Sequence, residues 1–257
     1  MVYGELGRDA LKWATQSVFG LNQSQIPERI VISPYKIDQF FEDFFTILKA
    51  HGAVYRETKT GFMVWNDGQR ALFCRGAIGA SMFADIGYVL CNSRNVEEVI
   101  FLGTGGGISL DVKTADINIP TTCLRLDKVL EIMLPLEAPA KADKDLASQV
   151  RKFVEEEVKD LVNLHDGLHA TVPFLLCENK PLLVDMLNRG VLSVDMELSV
   201  LYALANHFSK KAVGIIRIDD LPLQGLLLWD ALEDSLELKS RVHTGILRAV
   251  IQFVFSD

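Results

Sequence analysis

Glu98-Val99-Ile100-Phe101-Leu102-Gly103-Thr104-Gly105-Gly106-Gly107-Ile108 is the stretch on which the fold turns. Its first half belongs to a β-type apolar run over residues 96–102. Its second half sets four glycines around one threonine. Glycines after a strand let the backbone come close to an anion and point N–H groups at it. The residues that follow exclude two phosphate motifs. A dinucleotide fingerprint needs a third glycine after two spacers and then a helix, but Ile108 stands there and no helical pattern follows. A Walker A loop needs Gly-Lys-Ser/Thr, which is absent. Residues 108–120 alternate apolar and polar side chains around Asp111 and Asp116, which predicts strand and turn. Taken alone, the cluster reads as a tight turn as readily as a binding site.

Working outward, Arg29-Ile30-Val31-Ile32 is a short strand pattern ending at Ser33-Pro34. Ile37, Phe40, Phe41, Phe44, Ile47 and Leu48 then recur at helical spacing and predict one helix. Residues 61–75 read as a hairpin turning at Asn66-Asp67-Gly68. Its second arm leads through Gly76-Ala77-Ile78-Gly79 into a helix over residues 81–91. A charged amphipathic helix is predicted over residues 146–161, and further helices over 198–208 and 240–255. Apolar runs at 170–176, 192–194 and 212–218 alternate with them, which argues a sheet covered by helices on both faces. The expected fold is therefore α/β, a three-layer sandwich with a central mixed, twisted sheet. Residues 1–257 are read as a single domain, residues 1–25 as a helical extension of it, and residues 137–144 as a surface loop.

Composition narrows the functions. The 257 residues carry a formal net charge of -8, so a nucleic-acid partner, which needs a basic face to displace counterions, is not expected. A small anion needs only two or three local cations. The four cysteines are widely spaced with no C-x-x-C pair, which argues for reduced thiols rather than a zinc site or disulfide framework. Residues 1–13 lack a signal-peptide core, and no apolar run approaches the roughly 20 residues of a membrane span. A cytoplasmic protein without membrane contact is the expectation. His165 and His169 are four apart, but Asp166-Gly167 between them disfavours a helix that would align them as metal ligands; no metal is expected.

Two further clusters sit where strands end. In Val194-Asp195-Met196-Glu197, Asp195 could cap the following helix and Glu197 sit in its first turn, where the dipole favours an anion. Arg217-Ile218-Asp219-Asp220 lies at the carboxyl end of a strand, where α/β sheets bind ligands, or is simply a polar loop start before Leu221-Pro222.

In this order, these pieces resemble the nucleoside phosphorylase family, which includes uridine phosphorylases, hexameric purine nucleoside phosphorylases and related nucleosidases. The stretch 98–108 resembles its strand and phosphate turn, and Ala115-Asp116-Ile117-Asn118-Ile119-Pro120 its "GD-apolar-x-apolar-P" segment. Residues 190–198 resemble its "apolar-(D/E)-M-E" signature, and Ile218-Asp219-Asp220 its "I-S-D" segment. Tyr55-Arg56-Glu57 resembles the "R-E" pair of uridine phosphorylases. The resemblance implies a pentosyltransferase of uridine phosphorylase-like type. It would cleave a nucleoside with inorganic phosphate as co-substrate and without a cofactor, in homodimers or hexamers with shared active sites. Glu197 would hold the ribose hydroxyls, Met196 would pack on the sugar, and Phe174 would stack on the base. Thr104, with the backbone of Gly103 and Gly105, would bind phosphate, and Arg56 would reach into a neighbour's site. Asp220 falls where purine-specific members keep the acid that protonates the leaving base. Glu178 and Lys180 stand where uridine-specific members use a Gln and an Arg.

Departures from the pattern leave two alternatives, a nucleosidase using water and a catalytically reduced nucleoside-binding homologue. The first phosphate loop, usually "G-D-P-x-R", is Ile32-Ser33-Pro34-Tyr35-Lys36, so lysine replaces the bidentate arginine. Phe101 replaces an expected arginine, leaving Lys36, Arg56 and Arg75 as the candidate phosphate cations. Against the nucleosidase, residues 32–36 contain no glutamate to act as base.

Overall fold

The computed structural model describes residues 7–230 and 233–256. In chain order, helix α1 (Arg8–Phe19) precedes strand β1 (Arg29–Ser33), short helices α2 (Ile37–Phe40) and α3 (Phe44–Ala50), and strands β2 (Val54–Glu57), β3 (Gly61–Asn66) and β4 (Gln69–Arg75). Helix α4 (Ala80–Cys91), strands β5 (Glu98–Gly107), β6 (Ile117–Asn118) and β7 (Cys123–Arg125), and helix α5 (Lys144–Val158) follow. The chain continues with β8 (Leu164–His165), β9 (Leu168–Thr171), α6 (Lys180–Asn188), β10 (Val191–Asp195), α7 (Leu198–His207), β11 (Lys211–Asp220) and α8 (Glu233–Val254).

The strands form one mixed, twisted sheet in the order β2-β3-β4-β1-β5-β10-β9-β7, with β11 beside β5 and the short β6 and β8 beyond it. Helices cover it to complete the three layers, with α4 packed on α7 and α5 on α8. The spine is β5. It runs parallel to β1 and β11 along its apolar half and reaches antiparallel β10 through Gly106 and Gly107. The glycines thus continue the strand instead of turning out of it, and none of the four adopts positive φ. Close approach explains them. A methyl group at Gly105 would lie 2.2 Å from the Val194 carbonyl oxygen, and one at Gly103 would lie 2.4 Å from the Phe101 ring.

Two further expectations need correction. The predicted helix beginning at Ile37 is broken at Phe41, which leaves the helical region (φ -108, ψ 91) before α3 begins. Phe41 and Phe44 are both buried across the break, so the apolar spacing reported burial without continuity. The loop 137–144 is also less free than expected, because Ala140 and Ala142 are buried and the Ala140 carbonyl accepts the Cys123 N–H at 2.9 Å. The hairpin turns as read, with positive φ at Asp67 and Gly68 and Asn66 facing Gln69. Leu11 and Phe19 of α1 join the main core.

Candidate active site

Strands β5, β10 and β11 end together, and their ends carry the candidate groups. Asp195 closes β10. Its Oδ2 accepts the Leu198 N–H at 2.9 Å, the cap-like role read from sequence. Its Oδ1 accepts the Thr171 hydroxyl at 2.6 Å. Glu197, two residues on, has no capping bond and turns away from the helix. Its Oε1 accepts the Gly79 N–H at 2.5 Å, tying the β10–α7 turn to the start of α4. Gly79 has φ +93, a conformation in which a side chain would be strained. Burial, and then the Asp195 charge, push the Glu197 carboxyl well above the usual range, opposed by hydrogen bonds from the Gly79 and Met196 backbone.

Asp220 closes β11 in register with Gly106, on the other side of β5 from Val194. It is buried, and burial together with the Asp219 charge raises its carboxyl to about 6, with Lys239 opposing. Glu178 belongs to the same neighbourhood. Helix α6 packs on the 3-10 turn Pro222–Gln224 just after Asp220, which brings the preceding Glu178 close. Burial first, and then the Asp220 and Asp195 charges, lift Glu178 to about 7. Phe174, two residues beyond Val172, whose N–H donates to the Asp195 carbonyl at 2.9 Å, is 56% exposed.

Thr104 is in register with Arg217, so both side chains leave the same face of the sheet. The Thr104 hydroxyl lies 3.4 Å from the Tyr35 hydroxyl. Arg217 is not free to bind a ligand in the same way. Its Nε and Nη2 donate to the two Asp219 oxygens at 2.8 and 3.1 Å. Its Nη1 donates to the Lys239 carbonyl at 3.1 Å and meets His243 Nδ1 at 2.8 Å. Burial and Arg217 hold His243 down to about 3, so it is neutral. Phe101 is fully buried, edge-on to Phe83 at 5.7 Å, and lines the core instead of the site.

Register thus sets Asp220 and the β10 end that leads to Glu197 on either side of the Gly105-Gly106 stretch of β5, next to Thr104. Glu178 is near enough to feel the Asp220 and Asp195 charges. Gly103 is buried within β5, and Met196 packs on the apolar cluster that includes Ile108 and Val194. Lys36, Arg56, Arg75 and Lys180 are exposed and form no ion pair among the described residues; Arg56 instead rests 5.9 Å over the Trp65 ring. Sequence reasoning missed Tyr35, although it lies inside the loop 32–36. It also missed a buried polar chain beneath the rim. Asn118 Nδ2 donates to Ser193 Oγ at 2.8 Å, and His169 Nδ1 meets the same hydroxyl at 2.7 Å. His169 Nε2 lies 3.0 Å from Asp195 Oδ1, outside hydrogen-bonding alignment. Ser199 links Thr171 to Asp127 by bonds of 2.9 and 2.6 Å. His165 pairs separately with Asp116 at 3.0 Å, so the two histidines share no ligand. No cluster among the described residues has the donors for a metal, and none of their helices is long and apolar enough to cross a membrane.

The model of the Phosphorylase superfamily matches residues 36–252, and the chain belongs to that family. It is similar to the DeoD-type purine nucleoside phosphorylase of Bacillus cytotoxicus, 23% identical over 205 residues that cover 77% of this chain and 83% of that one. The Anoxybacillus flavithermus DeoD-type enzyme is 28% identical over 137 residues, 53% and 57% of the two chains. Among solved structures, uridine phosphorylase from Vibrio fischeri superposes with a TM-score of 0.72 at 15% identity, covering 91% of this chain and 92% of that one. Purine nucleoside phosphorylase from Toxoplasma gondii gives 0.70 at 17% identity, covering 91% and 94%. These structures share the fold.

Proposed function

We propose that this chain cleaves a purine nucleoside with inorganic phosphate, releasing the free base and ribose 1-phosphate. One observation carries the reading: two buried carboxyls, Glu197 and Asp220, hang from β10 and β11 on either side of the Gly105-Gly106 stretch of β5. Breaking the N-glycosidic bond sends its electron pair to the base and leaves an oxocarbenium-like sugar. In its ionised form, which the Gly79 and Met196 N–H groups support against the effect of burial, Glu197 favours that positive charge at the ribose hydroxyls, and Met196 packs on the sugar. Asp220, lifted to about 6, keeps a proton nearer neutrality than an ordinary carboxyl and delivers it to the departing base. A phosphate oxygen seated by Thr104 completes the bond to C1′ from the opposite side. Arg56 of a second copy, with Lys36 and Arg75, supplies the charge that the single chain leaves on its surface. No cofactor enters the reaction.

The base preference follows from Glu178 and Asp220. Uracil presents carbonyl oxygens and asks for donors, the role of the Gln and Arg that the resemblance places at Glu178 and Lys180. Here a half-buried carboxyl lies within reach of the Asp220 charge, and Lys180 is exposed. Two partly protonated carboxyls suit a base that offers both N–H donors and a nitrogen to be protonated. The uridine-type reading rests on Tyr55-Arg56-Glu57, which lies on β2 away from this pair. Buried Phe101 favours a hydrolytic reading, but residues 32–36 offer no carboxylate to activate water. The test is kcat/KM for adenosine, inosine and uridine at saturating phosphate, with ribose 1-phosphate identified by phosphorus NMR. A purine preference supports the proposal; a uridine preference, or no sugar phosphate, overturns it.

A further inference from the structure

The phosphate seat lacks the arginine expected at Phe101, and Arg217, in register with Thr104, is already engaged with Asp219, Lys239 and His243. One polar group remains pointed at Thr104, the Tyr35 hydroxyl. Its ring is held in place. Pro34 restricts the preceding backbone, the Tyr35 N–H donates to Ser33 Oγ at 3.3 Å, and the ring stacks on Phe40 with centroids 4.3 Å apart and planes 22° apart. Phe40 is in turn braced edge-on by His243 at 4.2 Å. The Tyr35 hydroxyl has no hydrogen-bond partner but Thr104 among the described residues.

We infer that Tyr35 is a phosphate ligand, its hydroxyl acting with that of Thr104 as a paired donor in place of the missing arginine. Two hydroxyls 3.4 Å apart can both reach one phosphate oxygen, or two oxygens of one phosphate, at about 2.7 Å. Burial, with Glu197 and Asp219 nearby, raises the phenol above its ordinary value, so it stays protonated and able to donate at neutral pH. A neutral donor adds no charge and spares the site an unpaired cation when phosphate is absent. The inference rests on the phosphorolytic reading and adds to it the residue that seats the acceptor.

Tyr35→Phe tests it, because the ring and its stack on Phe40 are kept and only the hydroxyl is lost. The variant should raise KM for phosphate about 10- to 100-fold, the range for losing one hydrogen bond to an anion. KM for the nucleoside at saturating phosphate should stay within about twofold. An unchanged phosphate KM overturns the inference, as does an equal rise in both constants. A second measurement needs no turnover: the shift in Tm produced by inorganic phosphate alone, in the wild-type chain and in the variant. Loss of that shift in Tyr35→Phe, with the shift produced by adenosine retained, supports the assignment. An equal phosphate shift in both proteins, or none in either, refutes it. Failure of the phosphorolytic reading itself would show separately, as base release by the wild-type chain that is absent or does not depend on phosphate.

Discussion

Asp220→Asn keeps shape and removes a charge, and it should make the protein more stable as it makes it inactive. Asp220 is 7% exposed, and its folded carboxyl is raised from 3.8 to about 6, first by burial and then by Asp219. A raised carboxyl holds its proton more tightly in the folded chain, so this contribution to stability is present below the unfolded value. It is lost as pH climbs through about 6. At about 1.4 kcal/mol per tenfold in proton affinity, the full difference is about 3 kcal/mol. Part of it, about 1 kcal/mol, is already expressed at about pH 4.5, and solvent at the rim weakens the remainder. The variant's advantage over the wild-type chain should therefore grow by about 1–2 kcal/mol between about pH 4.5 and about pH 8. Urea unfolding at one fixed protein concentration reads this as a midpoint shift on the order of 0.3–0.6 M. Purine cleavage should fall by about 10²–10⁴, and pyrimidine cleavage by less. An advantage that does not grow with pH would show that Asp220 is not held against ionisation. Undiminished purine cleavage would remove it from the chemistry.

Glu197→Ala should lower turnover by on the order of 10²–10³ while leaving the circular dichroism spectrum unchanged; undiminished turnover would take Glu197 out of the ribose site. Inactive Arg56→Ala and Glu197→Ala chains, unfolded together and reassembled, should regain part of the activity through sites built from one intact half of each. Mixed oligomers that stay inactive would argue against a shared site. Phe101→Arg should fail to restore a strong phosphate site and should destabilise the fold by about 4 kcal/mol or more, because it buries an unpaired guanidinium beside Phe83. A variant with the wild-type Tm and a lower phosphate KM would contradict the placement of Phe101 in the core.

The elements that positioned the rim were legible because their signals were local. Alternating apolar runs marked β5, β10 and β11, and the ends of those strands carried Thr104, Glu197 and Asp220. The meaning of the glycines was not local. Gly103 and Gly105 are required by the Phe101 ring and the Val194 carbonyl, the second of them contributed by a strand nearly ninety residues later. Ala115 shows the same limit. It occupies φ +72 where the family pattern has glycine, a backbone requirement invisible until Ile218 is seen accepting its N–H. Tyr35 gives no signal in the sequence, since only the packing of Phe40 and His243 turns it toward Thr104. The chain Asn118–Ser193–His169 joins residues from three separate strands, each of them an ordinary polar residue in sequence. The break at Phe41 was hidden because both pieces bury the same apolar face.

The central claim is tested most directly by measuring free base released from a panel of purine and pyrimidine nucleosides, with and without inorganic phosphate. The account predicts release from purine nucleosides that depends on phosphate and yields ribose 1-phosphate. Equal release without phosphate, or none from any nucleoside, would contradict it.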